Sequence, residues 1–247
     1  MKKVQTQRVH GFDVLRGIAV VSMVFFHLCY DLTSFSPLAL PWFDGLLEDL
    51  WRNSISWTFL GIAGCMACYS KNNIKRSCKL LLLAFIIYFV TSIVTVDTPI
   101  NFGIIYCLGV STLLAGIIQH CKIKINGYKL GALRIVVFFC LLPLSSGYID
   151  ILGMRLMLPS QLYSTPYFSW LGLPGPGFAS GDYYPLLPYG LIYFAAWSFC
   201  TAWQKTGIPS WFINMQCKPL ELVGRHALLI YVLHQPLLLG LVQLLFL

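Results

Sequence analysis

The sequence predicts an all-α fold, a polytopic transmembrane helix bundle of about seven helices with a cytoplasmic N-terminus, in which residues 1–247 form a single domain. Composition is the first reason, because 57% of the residues are hydrophobic and 11% are charged, whereas a soluble domain carries about 25% charged residues. The mean hydropathy of +0.73 agrees. The second reason is the recurrence of apolar stretches of about 20 residues, the length that spans a bilayer. The third is the placement of basic residues between those stretches.

Seven segments have the length and apolar character of membrane spans. They are, in chain order, residues 12–31, 54–70, 79–96, 100–119, 132–149, 185–203 and 226–246. The connections are too short to hold a soluble domain. One further short or re-entrant helix is left open.

The first segment follows a basic stretch, MKKVQTQRVHGFD, as the apolar core of a signal peptide would. The apolar run is long, however, and no small-residue cleavage site follows it cleanly. We therefore expect a retained first helix rather than a cleaved leader.

Charge placement predicts the topology. If the N-terminus is inside, 15 of the 17 basic residues fall on the inner side, and the two exceptions are Arg52 and Arg155. Seven of the nine acidic residues fall on the outer side, and the two exceptions are Asp13 and Glu221. Basic residues accumulate in cytoplasmic loops. The net charge of +8 then comes from basic residues that orient the helices in the membrane, and no nucleic-acid partner is expected.

Two long connections fall on the outer side. Residues 32–53 are amphipathic enough to lie on the membrane surface. Residues 150–184 are rich in Gly, Pro and aromatic residues, which favours an ordered, functional loop.

The nine cysteines are odd in number and scattered, which is not typical of a disulfide framework. Cys65 and Cys68 form a CxxC pair inside an apolar segment with no second Cys or His pair nearby. Helix packing through small residues is favoured there over metal or redox chemistry. No metal cofactor is expected.

His27 and Asp31 are the candidate catalytic residues. They are four residues apart and share one helical face. A carboxylate beside an imidazole can orient the ring and stabilise its protonated form, which suits a general base. A histidine at the membrane interface beside a solvated Asp31 explains the spacing equally well.

Asp13 and Arg16 lie at the other end of the same segment. An ion pair that marks the membrane boundary is the simpler interpretation, and the alternative is that Arg16 meets an anionic ligand. Arg16 and His27 are separated by about 16 Å along a helix. A long molecule with phosphates at one end and a reactive group at the other would span that gap.

Other candidates follow later in the chain. His234 precedes Pro236, so a structural hydrogen bond to a backbone carbonyl freed by the proline competes with a catalytic role. Arg225 is a candidate phosphate ligand or an interfacial anchor. Asp182 is a candidate helix cap or part of a sugar-binding surface, and Asn101 and Tyr106 are weaker candidates for substrate binding.

Four stretches together resemble the catalytic-domain family of heparan-alpha-glucosaminide N-acetyltransferase, in its small prokaryotic members. They are RVHGFDVLRGIAVVSMVFFHLCYDL, INFGIIYCLGVSTLL, GDYYPLLPYG and GRHALLIYVLHQPLLLG. The resemblance runs nearly end to end and depends on the order of the motifs, since D-x-x-R-G and a later His also open other transmembrane acyltransferases. This sequence lacks the His that the lysosomal enzymes carry in the loop after the first helix.

The resemblance implies an acetyltransferase of the plasma membrane that moves an acetyl group from cytosolic acetyl-CoA, or another acyl-CoA, to a sugar or glycan acceptor outside. It implies that His27 acts as general base or transient acyl carrier with Asp31. The candidate residues for binding the CoA donor are Asp13, Arg16, Arg225 and His234. Membrane lipid is the other expected partner, and a homodimer is left open.

Two other classes of function remain open on the sequence. A transporter would show midplane charges and often inverted repeats, yet the repeats are not apparent and the charges concentrate at segment ends. A membrane scaffold would use the same polar residues only as anchors.

Overall fold

The computed structural model describes residues 9–38, 40–123 and 127–246. Lys2, Lys3, Arg8 and Lys124, which the predicted topology places inside, lie outside these ranges. The chain divides into two compact units, one formed by Met1–Phe59 with Gly207–Leu247 and the other by Leu60–Thr206.

Helices account for most of both units. In chain order they are α1 (His10–Phe35), α2 (Gly45–Ala67), α3 (Asn73–Val94), α4 (Ile104–His120), α5 (Tyr128–Leu141), α6 (Leu186–Thr206), α7 (Ser210–Ile213), α8 (Lys218–Arg225) and α9 (Ala227–Phe246). Two strands, β1 (Tyr148–Ile151) and β2 (Met154–Met157), lie between α5 and α6, with short 3-10 helices at Leu144–Ser146, Ser160–Tyr163 and Pro166–Leu171.

Each of the seven predicted spans contains a helix. Within the described part of the chain, four helical stretches are long and apolar enough to cross a membrane: His10–Phe35, Asn73–Val94, Tyr128–Ser146 and Ala227–Phe246. The helical membrane architecture is therefore confirmed. The number of spans and the side of the N-terminus stay predictions.

The connection predicted at 32–53 is shorter in the structure. Helix α1 continues to Phe35, and α2 begins at Gly45 rather than near residue 54. The first turns of α2 expose Leu46, Leu47 and Leu50. The amphipathic character recognised in the sequence thus belongs largely to a helix.

The all-α prediction is wrong in one place, because β1 and β2 form an antiparallel hairpin in the loop that follows α5. The turn consists of Leu152 and Gly153, with φ of 54° and 88°. Asp150 Oδ1 accepts a hydrogen bond of 2.7 Å from the Gly153 N–H. The favoured sequences for such a turn are Asn-Gly and Asp-Gly, so a Leu-Gly turn carried no strong signal.

In the first unit, α1 packs against α8 and α9. The contact with α8 brings two backbones together at two glycines. A Cβ at Gly17 would overlap the carbonyl oxygen of Leu220, and a Cβ at Gly224 would overlap that of Asp13. Only glycine allows such an approach, so these two positions determine how closely α8 lies on α1.

One apolar cluster of the first unit lies between α1 and the region around the start of α2. Met23, Phe26, Phe43 and Ile55 are buried together there. The Trp51 indole N–H donates a 2.7 Å hydrogen bond to Ser22 Oγ. This packing holds the half of α1 that carries His27.

The second unit is built from two helix pairs, α3 with α4 and α5 with α6, joined by contact between α4 and α6. Asn72 caps α3 by accepting a 2.8 Å hydrogen bond from the Lys75 N–H. Tyr193 is buried and its hydroxyl lies 3.1 Å from Thr112 Oγ1. The CxxC cysteines also belong to this packing, because the thiols of Cys65 and Cys68 point at carbonyl oxygens of α6.

Candidate functional site

The first unit brings together two histidines that are far apart in the sequence. His27 on α1 and His234 on α9 have ring centroids 4.8 Å apart with an angle of 62° between the rings. His27 is partly exposed, whereas His234 is only 7% exposed. Both helices are candidate membrane spans. Two imidazole rings therefore lie in contact on two helices that are both long and apolar enough to span a membrane.

The hydrogen bond of His234 determines its tautomer. Nδ1 lies 2.7 Å from the carbonyl oxygen of Tyr231, and a carbonyl can only accept, so Nδ1 carries the proton. In the neutral ring Nε2 then keeps its lone pair. Nε2 is buried and makes no hydrogen bond among the described residues, so its lone pair is left without a protein donor there.

His234 therefore makes a hydrogen bond to a backbone carbonyl, as predicted. The acceptor is the carbonyl of Tyr231, which is not the one that Pro236 leaves free. A proline removes the N–H that would bond to the carbonyl four residues earlier, which for Pro236 is the carbonyl of Val232. His234 instead bonds to Tyr231, three residues before it. Helix α9 continues through Pro236 to Phe246.

Asp31 is fully buried, and α9 provides one of its hydrogen-bond donors. Asp31 Oδ1 accepts a 2.8 Å hydrogen bond from Gln235 Nε2. The sequence interpretation missed Gln235, although a polar side chain beside His234 in an apolar helix was an available signal. Asp31 and Gln235 thus tie α1 to α9 beside the histidine pair.

A surface pocket of about 480 Å³ opens near the end of α1. It begins at Tyr30, one helical turn beyond His27. Its polar lining consists of Thr33, Ser34, Ser36, Asp44 and Glu48, and its apolar lining is Tyr30, Pro37, Leu38, Leu40, Pro41 and Phe43. The pocket therefore combines hydroxyl and carboxylate groups with aromatic and aliphatic side chains.

At the opposite end of α1, Asp13 and Arg16 form the ion pair that their spacing predicts. Arg16 Nη1 lies 3.0 Å from Asp13 Oδ1, and Asp13 is buried. The backbone carbonyl of the same Asp13 faces Gly224 on α8. Asp13 therefore contributes to the packing of α8 as well as holding Arg16.

Arg225 is the last residue of α8, and α9 begins at Ala227. Its guanidinium bonds to Glu221 Oε2 at 3.1 Å, and the same oxygen accepts a 2.7 Å hydrogen bond from His10 Nδ1. Two donors hold this carboxylate. The hydrogen bond from His10, together with the charge of Arg225, holds the pKa of Glu221 below its ordinary value.

This lowered pKa predicts an acid-dependent loss of stability. The contribution of Glu221 is fully present above its ordinary pKa of 4.5 and is lost as the pH falls through the lower folded value. We expect the melting temperature of the detergent-solubilised protein to fall over that range, and to fall less in Glu221→Gln. Asp44→Asn, at an exposed carboxylate of the same unit, is the matched control. Equal acid sensitivity of Glu221→Gln and the unaltered protein would contradict the prediction.

In the second unit, the candidates Asp182, Asn101 and Tyr106 gather around the start of α4. Asp182 Oδ2 accepts a 2.9 Å hydrogen bond from the Ile104 N–H, so it caps α4 rather than the sixth helix that follows it in sequence. Ser180 Oγ accepts a 3.0 Å bond from the Asn101 backbone N–H. The Tyr106 ring packs 5.0 Å from that of Phe102. Two chain segments far apart in sequence are thereby joined.

The family model "Heparan-alpha-glucosaminide N-acetyltransferase, catalytic" matches residues 8–236, nearly the whole chain. The chain belongs to this family. No curated protein and no solved structure matches it.

Membership in the heparan-alpha-glucosaminide N-acetyltransferase catalytic family implies an acyltransferase, and the apolar helices indicate that it is a membrane protein. The resemblance drawn from the four sequence stretches is confirmed. The matched range begins before α1 and ends at Pro236, just after His234 and Gln235. All nine candidate site residues lie within it.

Two substitutions at Asp182 distinguish a role in capping α4 from a role in binding substrate. Asp182→Ala removes the acceptor for the Ile104 N–H, and we expect a loss of about 0.5–2 kcal/mol of stability. Asp182→Asn keeps an oxygen acceptor and should melt close to the unaltered protein. If Asp182 also binds substrate through its charge, Asp182→Asn lowers acetyl transfer without lowering the melting temperature. Equal melting of Asp182→Ala and Asp182→Asn would contradict the capping role.

Proposed function

We propose that this protein transfers an acetyl group from acetyl-CoA at the cytoplasmic face of the plasma membrane to a sugar amine or hydroxyl at the outer face. The observation that carries the proposal is the contact between His27 and His234 on α1 and α9, both candidate membrane spans. Ionisable groups at such positions are costly and usually functional. Nε2 of His234, which is buried and has no hydrogen-bond partner in the described part of the chain, would add a proton acceptor.

The chemistry needs a base and close positioning of two substrates. The acceptor N–H or O–H attacks the acetyl carbonyl carbon, so a C–N or C–O bond forms while the C–S bond breaks. CoA leaves as the thiolate, and the acceptor proton passes through an imidazole to that thiolate. Alternatively, His27 first takes the acetyl group on a ring nitrogen and then yields it to the acceptor, with the same overall balance.

The two ends of α1 suit the two substrates. The pocket beyond Tyr30 offers hydroxyl groups and the carboxylates of Asp44 and Glu48, which favour a polar acceptor with an amino group. Arg16 is eleven residues before His27, or about 16 Å along the helix. A CoA molecule with its phosphates near Arg16 and its thioester near His27 would lie along this helix.

The test is acetyl transfer by the purified protein in proteoliposomes. Acetyl-CoA labelled in the acetyl group is supplied with glucosamine or with glucose, and we expect labelled product with the amino sugar and a higher melting temperature with acetyl-CoA. A ligand at 100 times its Kd stabilises by about 2.7 kcal/mol. Label retained on the protein without acceptor would favour the acyl-histidine route. Absence of both transfer and stabilisation would overturn the proposal.

A further inference from the structure

The hairpin formed by Tyr148–Met157 exposes an apolar surface that the proposed transfer reaction does not use. Its register places Ile149 opposite Leu156 and Ile151 opposite Met154. Because side chains alternate across a strand, these four apolar residues share one face. Met154 is 76% exposed, and Leu152 at the tip is 98% exposed.

Water is a poor environment for this hairpin. An isolated two-stranded hairpin is marginally stable unless its apolar face packs against something. Every residue of β2 is exposed. The tip adds a local cost, since Leu152 adopts a positive φ of 54° that bulky residues rarely take. A strained backbone that presents a fully exposed leucine points to a surface contact.

The position of the hairpin identifies what covers it. Only Gly147 separates the candidate span Tyr128–Ser146 from β1, and β1 packs against α5. The hairpin therefore starts at the level where this helix leaves the bilayer. The lipid-facing surface of α5, which exposes Leu133, Val136 and Phe139, leads directly to it.

The opposite face of the hairpin has the chemistry of a membrane interface. Its two charged residues, Asp150 and Arg155, are direct cross-strand partners of opposite sign. The Arg155 guanidinium lies 5.3 Å from the centre of the Tyr148 ring. Tyr and Arg both place an apolar body against lipid while keeping a polar end in water. The four residues between the charged pair, Ile151 to Met154, are uncharged.

We propose that this hairpin inserts its tip and apolar face into the lipid leaflet at the C-terminal end of α5. Asp150, Arg155 and Tyr148 then lie among the headgroups. The inserted hairpin anchors the first part of the long loop at 150–184 to the membrane surface.

The experiment measures the environment of the tip in liposomes. An environment-sensitive fluorophore is attached to Leu152→Cys in a background where the exposed Cys78 and Cys121 are serine, and the background signal is subtracted. Ser160→Cys, exposed in the same loop just after β2, is the matched control. We expect quenching by spin-labelled lipid at position 152 and a severalfold weaker quenching by aqueous iodide than at position 160.

Three results would overturn the proposal. Strong iodide quenching at 152 without lipid quenching would place the tip in water. Shielding from both quenchers would place it inside the protein, and shielding that depends on the protein-to-lipid ratio would assign it to a second copy of the chain.

A second variant tests the tip without breaking the turn. Leu152→Asn creates Asn-Gly, the preferred sequence for a turn with two positive φ values, so the hairpin is retained. A fluorophore on Met154→Cys should become severalfold more accessible to iodide in the Leu152→Asn background. Unchanged accessibility would show that Leu152 does not hold the hairpin in lipid.

Discussion

Replacing His27 or His234 by alanine is expected to remove most acetyl transfer while the protein remains folded. Positioned acid–base groups contribute about 10²–10⁴-fold to a rate, and the two imidazoles are in contact. Residues that act as a unit show non-additive effects. The double variant should therefore be little slower than either single variant. The measurement is the initial rate of labelled acetyl transfer at saturating acetyl-CoA.

His120→Ala is the control for this prediction, since His120 is exposed at the end of α4. It should retain the full rate. Melting temperatures of all variants establish that folding is preserved. Full activity of His27→Ala would remove His27 from the reaction, and additive losses in the double variant would contradict a joint role with His234.

Replacing Gly17 or Gly224 by alanine is expected to destabilise the first unit strongly. In an exposed helix, a change from Gly to Ala stabilises by about 1 kcal/mol. Here the added methyl group would overlap backbone carbonyl oxygens of Leu220 or Asp13. Overpacking costs about 1–3 kcal/mol, and backbone atoms relax less readily than side chains. We therefore expect the change to alanine to destabilise the protein here, whereas it stabilises an exposed helix. Thermal unfolding in detergent measures the effect.

Gly240→Ala on α9 is the matched control, because a Cβ at Gly240 would meet no atom within 4 Å. It should leave the melting temperature unchanged or raise it. If Gly17→Ala and Gly224→Ala melted like Gly240→Ala, the close approach of α1 and α8 would be wrong.

The helices were predictable because their signal is local. A run of about 20 apolar residues predicts a membrane-spanning helix, and each of the seven segments contains a helix. The ends were less predictable, as α2 shows by starting at Gly45 within a stretch that carries Glu48, Asp49 and Arg52. The hairpin was missed because Leu-Gly is an unusual turn sequence.

The candidate site was predictable in part. His27 and Asp31 stand out because they are polar residues at the end of an apolar segment. Their partners do not stand out in the sequence, because the hydrogen bond from Gln235 to Asp31 joins residues 204 positions apart. Asp182 shows the same limit. Its sequence position suggested a cap on the following helix, whereas in the structure it caps α4 through the N–H of Ile104, 78 residues earlier in the chain.

The sequence by itself determined that this is a helical membrane protein, which seven segments contain its longer helices, and that it resembles the acetyltransferase family to which it belongs. These features depend on composition, apolar run length and motif order, all of which are local. Only the tertiary structure decided that His27 contacts His234, that Gln235 bonds to Asp31, and that Arg225 pairs with Glu221. Such contacts depend on which helix faces pack together, and no spacing within one segment specifies that.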